Sequence, residues 1–86
     1  MDINELNANV KRKLHNQINI EEIKIEDKSF LHKKHSGNQS GKFHLKINLK
    51  SVELKKMTKI ESTKKIYKIL EYELKEFIHS IQIIII

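Results

Sequence analysis

Between Phe43 and Lys50 the chain alternates without a break, with Phe43, Leu45, Ile47 and Leu49 apolar and His44, Lys46, Asn48 and Lys50 polar. A period of two is the geometry of a strand whose successive side chains leave opposite faces, so this segment belongs in a sheet with one dry face and one wet face. His44 is expected on the wet face, pointing away from Phe43 and Leu45. Such a strand needs neighbours to pair with and a layer to cover its apolar side. In 86 residues there is room for one domain with one modest core, and none for a deep substrate cleft.

The rest of the sequence supplies those partners. Ile3, Leu6, Val10 and Leu14 recur at helical spacing and Asp2 can accept a backbone N–H, which predicts a helix over 2–15 ended by Asn16 and Gln17. Ile18, Ile20, Ile23 and Ile25 predict a strand over 19–27, whose phase change at Glu21-Glu22 fits either a bulge or an entry from a turn. The polar, aperiodic stretch 28–42 holds both glycines and reads as an exposed loop, of a length that usually signals function or disorder.

Ser51 to Lys56 reads as a turn or short helical connection. Ile60, Tyr67, Leu70, Leu74 and Phe77, widened by Ile66 and Ile69, mark the buried stripe of a helix over 57–76. An isoleucine-rich strand over 78–85 closes the chain, and a strand, helix and strand in succession favour parallel pairing through a right-handed crossover. The expected fold class is α+β, ordered α-β-β-α-α-β when the 51–56 connection is helical, with a three-stranded mixed sheet packed against helices.

Several function classes drop out on residue type alone. There is no cysteine, so disulfides, thiolate ligands and cysteine nucleophiles are excluded. No serine has an activating motif around it, and Glu21-Glu22 and Glu71/Glu73 lack an apolar pocket that would raise a carboxyl pKa, so the chain is expected not to be an enzyme. The acidic, Arg-free Met1–Val10 segment argues against a leader, and Ile83–Ile86 falls far short of the roughly 20 apolar residues that span a bilayer. A cytoplasmic protein without membrane association is the expectation. The formal charge of +6 permits nucleic acid, an acidic partner or simply a solvated surface.

Among the histidines, His32-x-x-His35 could place two imidazoles on one metal, although a protein metal site generally needs three or four ligands and none completes the set nearby. For His44 and for His79, at the start of the last strand, a structural hydrogen bond is the default role.

The pattern Asp27-x-Ser29-x-x-His32-x-x-His35-x-Gly37, followed by His44-Leu45-x-Ile47 and Ser51, resembles the strand, loop and strand of the BolA-like family. Tyr67-x-x-Leu70-x-x-x-Leu74 and Ile78-His79-Ser80-Ile81 resemble its closing helix and strand, so the likeness runs from about Ile20 to Ile83. Each piece is short, and their joint order and spacing carry the specificity. The resemblance implies a fold similar to the second type of KH domain. It also implies a non-enzymatic protein, monomeric alone, that partners a monothiol glutaredoxin in iron–sulfur cluster trafficking or iron sensing.

The same resemblance implies no cofactor on the chain alone and a [2Fe–2S] cluster shared with glutaredoxin and glutathione. The BolA-like partner would give a His or Cys from the loop and a His from the long helix. The loop position corresponds to His32, with His35 beside it, whereas the helix segment reads Ser62-Thr63-Lys64, with Thr63 in the ligand position. A threonine hydroxyl is a poor ligand for cluster iron. Either His35, His44 or His79 replaces the missing imidazole, or glutaredoxin binds without a cluster shared through that helix.

The family resemblance also includes transcriptional regulators, which gives an alternative: a DNA-binding stress and morphology regulator using Lys55, Lys56, Lys59, Lys64, Lys65 and Lys68. Against it, a Gly-x-x-Gly clamp is missing, because Gly37 and Gly41 are one residue too far apart and in the wrong connection.

Overall fold

Asp2 opens the first helix by accepting the backbone N–H of Glu5 on its Oδ1 at 2.8 Å, as its position implies. The computed structural model describes residues 2–29 and 42–86. Of the expected loop over 28–42, only Lys28, Ser29 and Lys42 fall among them; His32 and His35 lie outside the described residues. Helix α1 (Ile3–Gln17) buries Leu6, Val10 and Leu14 on one stripe. It runs two residues past the expected end because Ile18, itself buried, still donates its N–H to the Leu14 carbonyl at 2.9 Å.

Strand β1 (Glu22–Asp27) is shorter than the expected 19–27. Ile18 and Ile20 are buried as predicted, yet the backbone around Asn19 is satisfied by side chains instead of a ladder. Asn19 donates its N–H to Glu53 Oε1 at 3.1 Å and its carbonyl accepts from the buried Ser51 hydroxyl at 2.8 Å. The phase change at Glu21-Glu22 is therefore an entry from a turn.

Strand β2 (Phe43–Lys50) lies in the middle of the sheet, antiparallel to β1 and parallel to β3 (Ile78–Ile85). The register stacks Ile25, Ile47 and Ile83 across the three strands, and likewise Ile23, Leu49 and Ile85. These apolar rows join Leu6, Val10, Leu14, Leu54, Ile66 and Leu70 from the helices in one core. Each fully buried Leu or Ile contributes about 1.5–3 kcal/mol relative to exposure. The fold is α+β with a three-stranded mixed sheet, as expected.

Between β2 and β3 the chain is helical in three pieces, where a single helix over 57–76 was expected after the connection. The first piece, α2 (Val52–Lys55), is capped by Ser51, whose Oγ accepts from the Leu54 N–H at 3.2 Å. Then α3 (Lys59–Ile69) starts from a reciprocal capping box between Thr58 and Glu61. Leu70, with ψ near 17° and no exposure, bends the chain into α4 (Glu71–Glu76). Neither Gly nor Pro marks this bend, so local sequence gives no sign of it.

The buried stripe differs from the expected one. Ser62, Ile66, Leu70 and Glu73 face inward, while Ile60 and Tyr67, both expected on the stripe, are exposed. Glu73, expected on a helix face, has its side chain only 3% exposed and pairs with Lys13 Nζ at 2.6 Å. The Tyr72 ring lies 5.6 Å from the same ammonium, so α4 is tied to α1 through one lysine. Among the described residues no helix is long and apolar enough to cross a membrane.

Candidate functional site

The site is built on an irregularity in the sheet. Phe43 is opposite Ile78 and His44 is opposite Ser80, so His79 is an extra residue inserted between two successive pairings. A bulge of this kind sets two residues of one strand against a single residue of the other and re-aims their side chains. Here both reach the same imidazole. The His44 Nδ1 is 2.6 Å from Ser80 Oγ, and its Nε2 is 3.3 Å from Nδ1 of His79. The two rings meet edge to face, with centroids 4.8 Å apart and planes at 77°.

The burial of the two histidines differs sharply. His44 sits opposite Leu45 in the strand alternation, as expected, but that face is not wet at this position, because His44 is only 4% exposed. His79 is exposed. The pair thus joins a buried ring to one that solvent and partners can reach.

The loop's two ends are pinned to the same place. On the outgoing side, Ser29 donates from both N–H (2.9 Å) and Oγ (2.5 Å) to Asp27 Oδ1, and its Oγ accepts the His44 N–H at 3.1 Å. The Lys28 N–H donates to the His44 carbonyl at 2.7 Å. On the returning side, Phe43 N–H donates to the Phe77 carbonyl at 2.9 Å, and Lys42 Nζ donates to the Lys75 carbonyl at 3.3 Å. The segment carrying His32 and His35 therefore leaves and rejoins the fold beside His44 and His79.

Asp27, Ser29 and Ser80 enter the site through these bonds, and residue type alone did not single them out. One signal was available for the bulge: Ile78 and Ile81 are three apart, while Ile81, Ile83 and Ile85 are spaced by two. Beside the loop root, Glu26 meets Lys28 Nζ at 3.4 Å and accepts from Asn48 Nδ2 at 3.1 Å. Partial burial would push the Glu26 carboxyl up, but the Lys28 charge and hydrogen bond, the Asn48 amide and Lys24 together hold it below its usual value.

Thr63 is not part of this site. It lines a groove with Leu54, Met57, Ser62 and Ile83 to Ile85, at the far end of β3. Among the DNA-binding candidates, Lys65 is held by Glu53 Oε2 at 2.9 Å, and Lys55, Lys56, Lys59, Lys64 and Lys68 are exposed. Lys55 and Lys59 border the Thr63 groove, whereas Lys65 and Lys68 line a different one with Lys13, Asn16 and Gln17. The lysines are divided between surfaces.

What this arrangement can do follows from its donors. Imidazole nitrogens are ligands when neutral, and a carboxylate or hydroxyl can orient them. Among the described residues, no group of three or more His, Cys, Asp or Glu side chains could hold a metal ion. An iron–sulfur cluster at this place fits only if other molecules bring thiolates.

Comparisons with known proteins agree with the fold. The family profile described as BolA-like protein matches residues 14–85. No curated protein matches the chain. Among solved structures, the BolA domain of SufE1 from Arabidopsis thaliana is similar, with a TM-score of 0.76 at 21% identity over 99% of this chain and 92% of that one. BolA1 from the same plant gives a TM-score of 0.74 at 23% identity, covering 91% of this chain and 86% of its own. BolA1 from Mus musculus gives 0.71 at 18% identity, covering 90% of this chain and 60% of that chain.

Proposed function

The chain belongs to the BolA-like protein family, and on that premise we propose that it is a non-enzymatic, cytoplasmic partner of a monothiol glutaredoxin in iron–sulfur cluster trafficking or iron sensing. The cluster is cargo shared with the glutaredoxin and its glutathione, which bring the thiolates that a cysteine-free chain lacks. This chain gives imidazoles. One is His79, exposed on the bulge; the other is His32 or His35, on the loop rooted beside it.

The observation that carries this reading is the meeting of loop root and bulge at one point, through the Ser29–His44 and His44–His79 contacts. His32 is three residue steps from Ser29, a reach of about 10 Å, so a loop imidazole and His79 can approach one cluster. His79 then takes the part that the family resemblance gave to the long helix. Nothing among the described residues favours the DNA-binding alternative, since its lysines face more than one groove.

The test is to add the protein to a glutathione-loaded, [2Fe–2S]-bearing monothiol glutaredoxin. We expect a change in the visible spectrum as imidazole replaces existing ligands, with binding seen by calorimetry. His32→Ala or His35→Ala should diminish that change. No spectral change together with no heat of binding would dismiss the proposal.

A further inference from the structure

We propose that His44 is a positioning residue for His79: it holds the His79 ring on the bulge and takes the hydrogen bond from Nδ1, so that Nε2 is the nitrogen presented to a metal. This rests on the reading of His79 as a ligand. The geometry comes from two partners of a ring that is itself buried: Ser80 Oγ at Nδ1, and His79, which meets Nε2 through its own Nδ1 and packs its ring edge to face. The Ser29 hydroxyl anchors the backbone N–H of the same residue. His79 is thus gripped by a buried group that is fixed from both sides.

The proton count gives the grip a direction. A neutral imidazole has one N–H, and a metal bound at Nε2 requires that proton on Nδ1. In the ligating state His79 Nδ1–H therefore donates to His44 Nε2, and His44, which must then have its own proton on Nδ1, donates to Ser80 Oγ. Only one proton lies between the two rings, so the tautomer of one dictates that of the other. A hydrogen-bond acceptor behind a ligating imidazole fixes its orientation and increases its electron donation, and loss of such partners typically costs about 10–100-fold in metal affinity.

Three variants and one measurement on the unmodified protein test this. In the free protein, long-range proton–nitrogen correlation spectra of the histidines should show complementary tautomers, with one proton shared between His44 Nε2 and His79 Nδ1. Both of these nitrogens unprotonated, or two independent imidazoles, would overturn the proposal without any variant. His79→Ala should abolish the spectral response to [2Fe–2S]-bearing glutaredoxin. His44→Phe keeps a buried ring but removes the acceptor, and should weaken cluster-dependent binding about 10–100-fold and raise the cluster's reduction potential.

His44→Gln, with a carbonyl able to accept, should restore both towards the unmodified values. If His79→Ala abolishes the response while His44→Phe binds with unaltered affinity and potential, His79 is a ligand and His44 does not position it. If His79→Ala leaves the response intact while the free protein shows the shared proton, the ligand assignment fails and the ring contact stands as structure alone.

Discussion

Thr63 and His79 stand at opposite ends of β3: Thr63 lines a groove with Ile83, Ile84 and Ile85, and His79 is the bulged residue next to the strand's first. Ile84 is five residue steps along the strand from His79, about 16 Å at roughly 3.3 Å per residue. The groove that Thr63 lines includes neither His44 nor His79, so a histidine introduced at position 63 is not expected to join the loop-root site. Thr63→His should leave the visible spectrum of the glutaredoxin mixture as the unmodified protein gives it, and a new or intensified cluster signal would contradict this placement.

Removing one partner of the α1–α4 ion pair should be costly. Glu73 is nearly excluded from water, Lys13 reaches one oxygen at 2.6 Å, and the other oxygen, Oε1, is buried without a hydrogen-bond partner among the described residues. Lys13→Met leaves that carboxylate unpaired and should destabilise the fold by about 2–4 kcal/mol, whereas Lys13→Met with Glu73→Leu should recover most of the loss. Denaturant midpoints of the two variants check the difference; equal losses would show that the pair is not a unit.

Acid should weaken the helical connection in a defined range. The hydrogen bond from Lys65, that from the Asn19 N–H and the Lys65 charge hold Glu53 below the ordinary glutamate value of 4.5, against some desolvation. Hydrogen bonds from the Thr58 N–H and side chain do the same for Glu61. A carboxyl whose folded pKa is depressed contributes fully above its unfolded value and loses that contribution as pH falls through the folded one. Stability should therefore be flat with respect to these two groups above about pH 5 and decline below 4.5. In Glu53→Gln and Glu61→Gln the decline should be shallower, as followed by thermal unfolding at stepped pH.

The capping box gives a local counterpart. Thr58 Oγ1 accepts the Glu61 N–H at 3.1 Å, and Glu61 Oε1 accepts the Thr58 N–H at 3.0 Å. Thr58→Ala should cost about 1 kcal/mol, measured by chemical denaturation, with Thr58→Ser close to unmodified.

Periodicity carried most of the architecture. The unbroken alternation of Phe43–Lys50 fixed the central strand to the residue, and Asp2 with Ile3, Leu6, Val10 and Leu14 located the first helix, because these signals are local and strong. The bend at Leu70 was hidden, since neither Gly nor Pro nor any other helix breaker stands beside it. Ile60 and Tyr67 were misplaced for a different reason: apolar type marked them for the core, yet α3 turns Ser62 and Ile66 inward instead. His44 was read correctly in phase but not in burial: the spacing of Ile78 and Ile81 hints at the bulge, but that the bulge and the loop root cover His44 is a tertiary fact. Thr63 was legible as a family position, whereas the groove it lines with Ile83 to Ile85 is a product of the fold.

The most direct measurement compares the unmodified protein with His79→Ala in their effect on the visible absorption and circular dichroism of [2Fe–2S]-bearing monothiol glutaredoxin. The unmodified protein should reshape both spectra, and His79→Ala, folded to the same extent by far-ultraviolet circular dichroism, should leave them close to those of glutaredoxin alone. Identical spectra with the two proteins would contradict the assignment of His79 as the imidazole that completes the shared site.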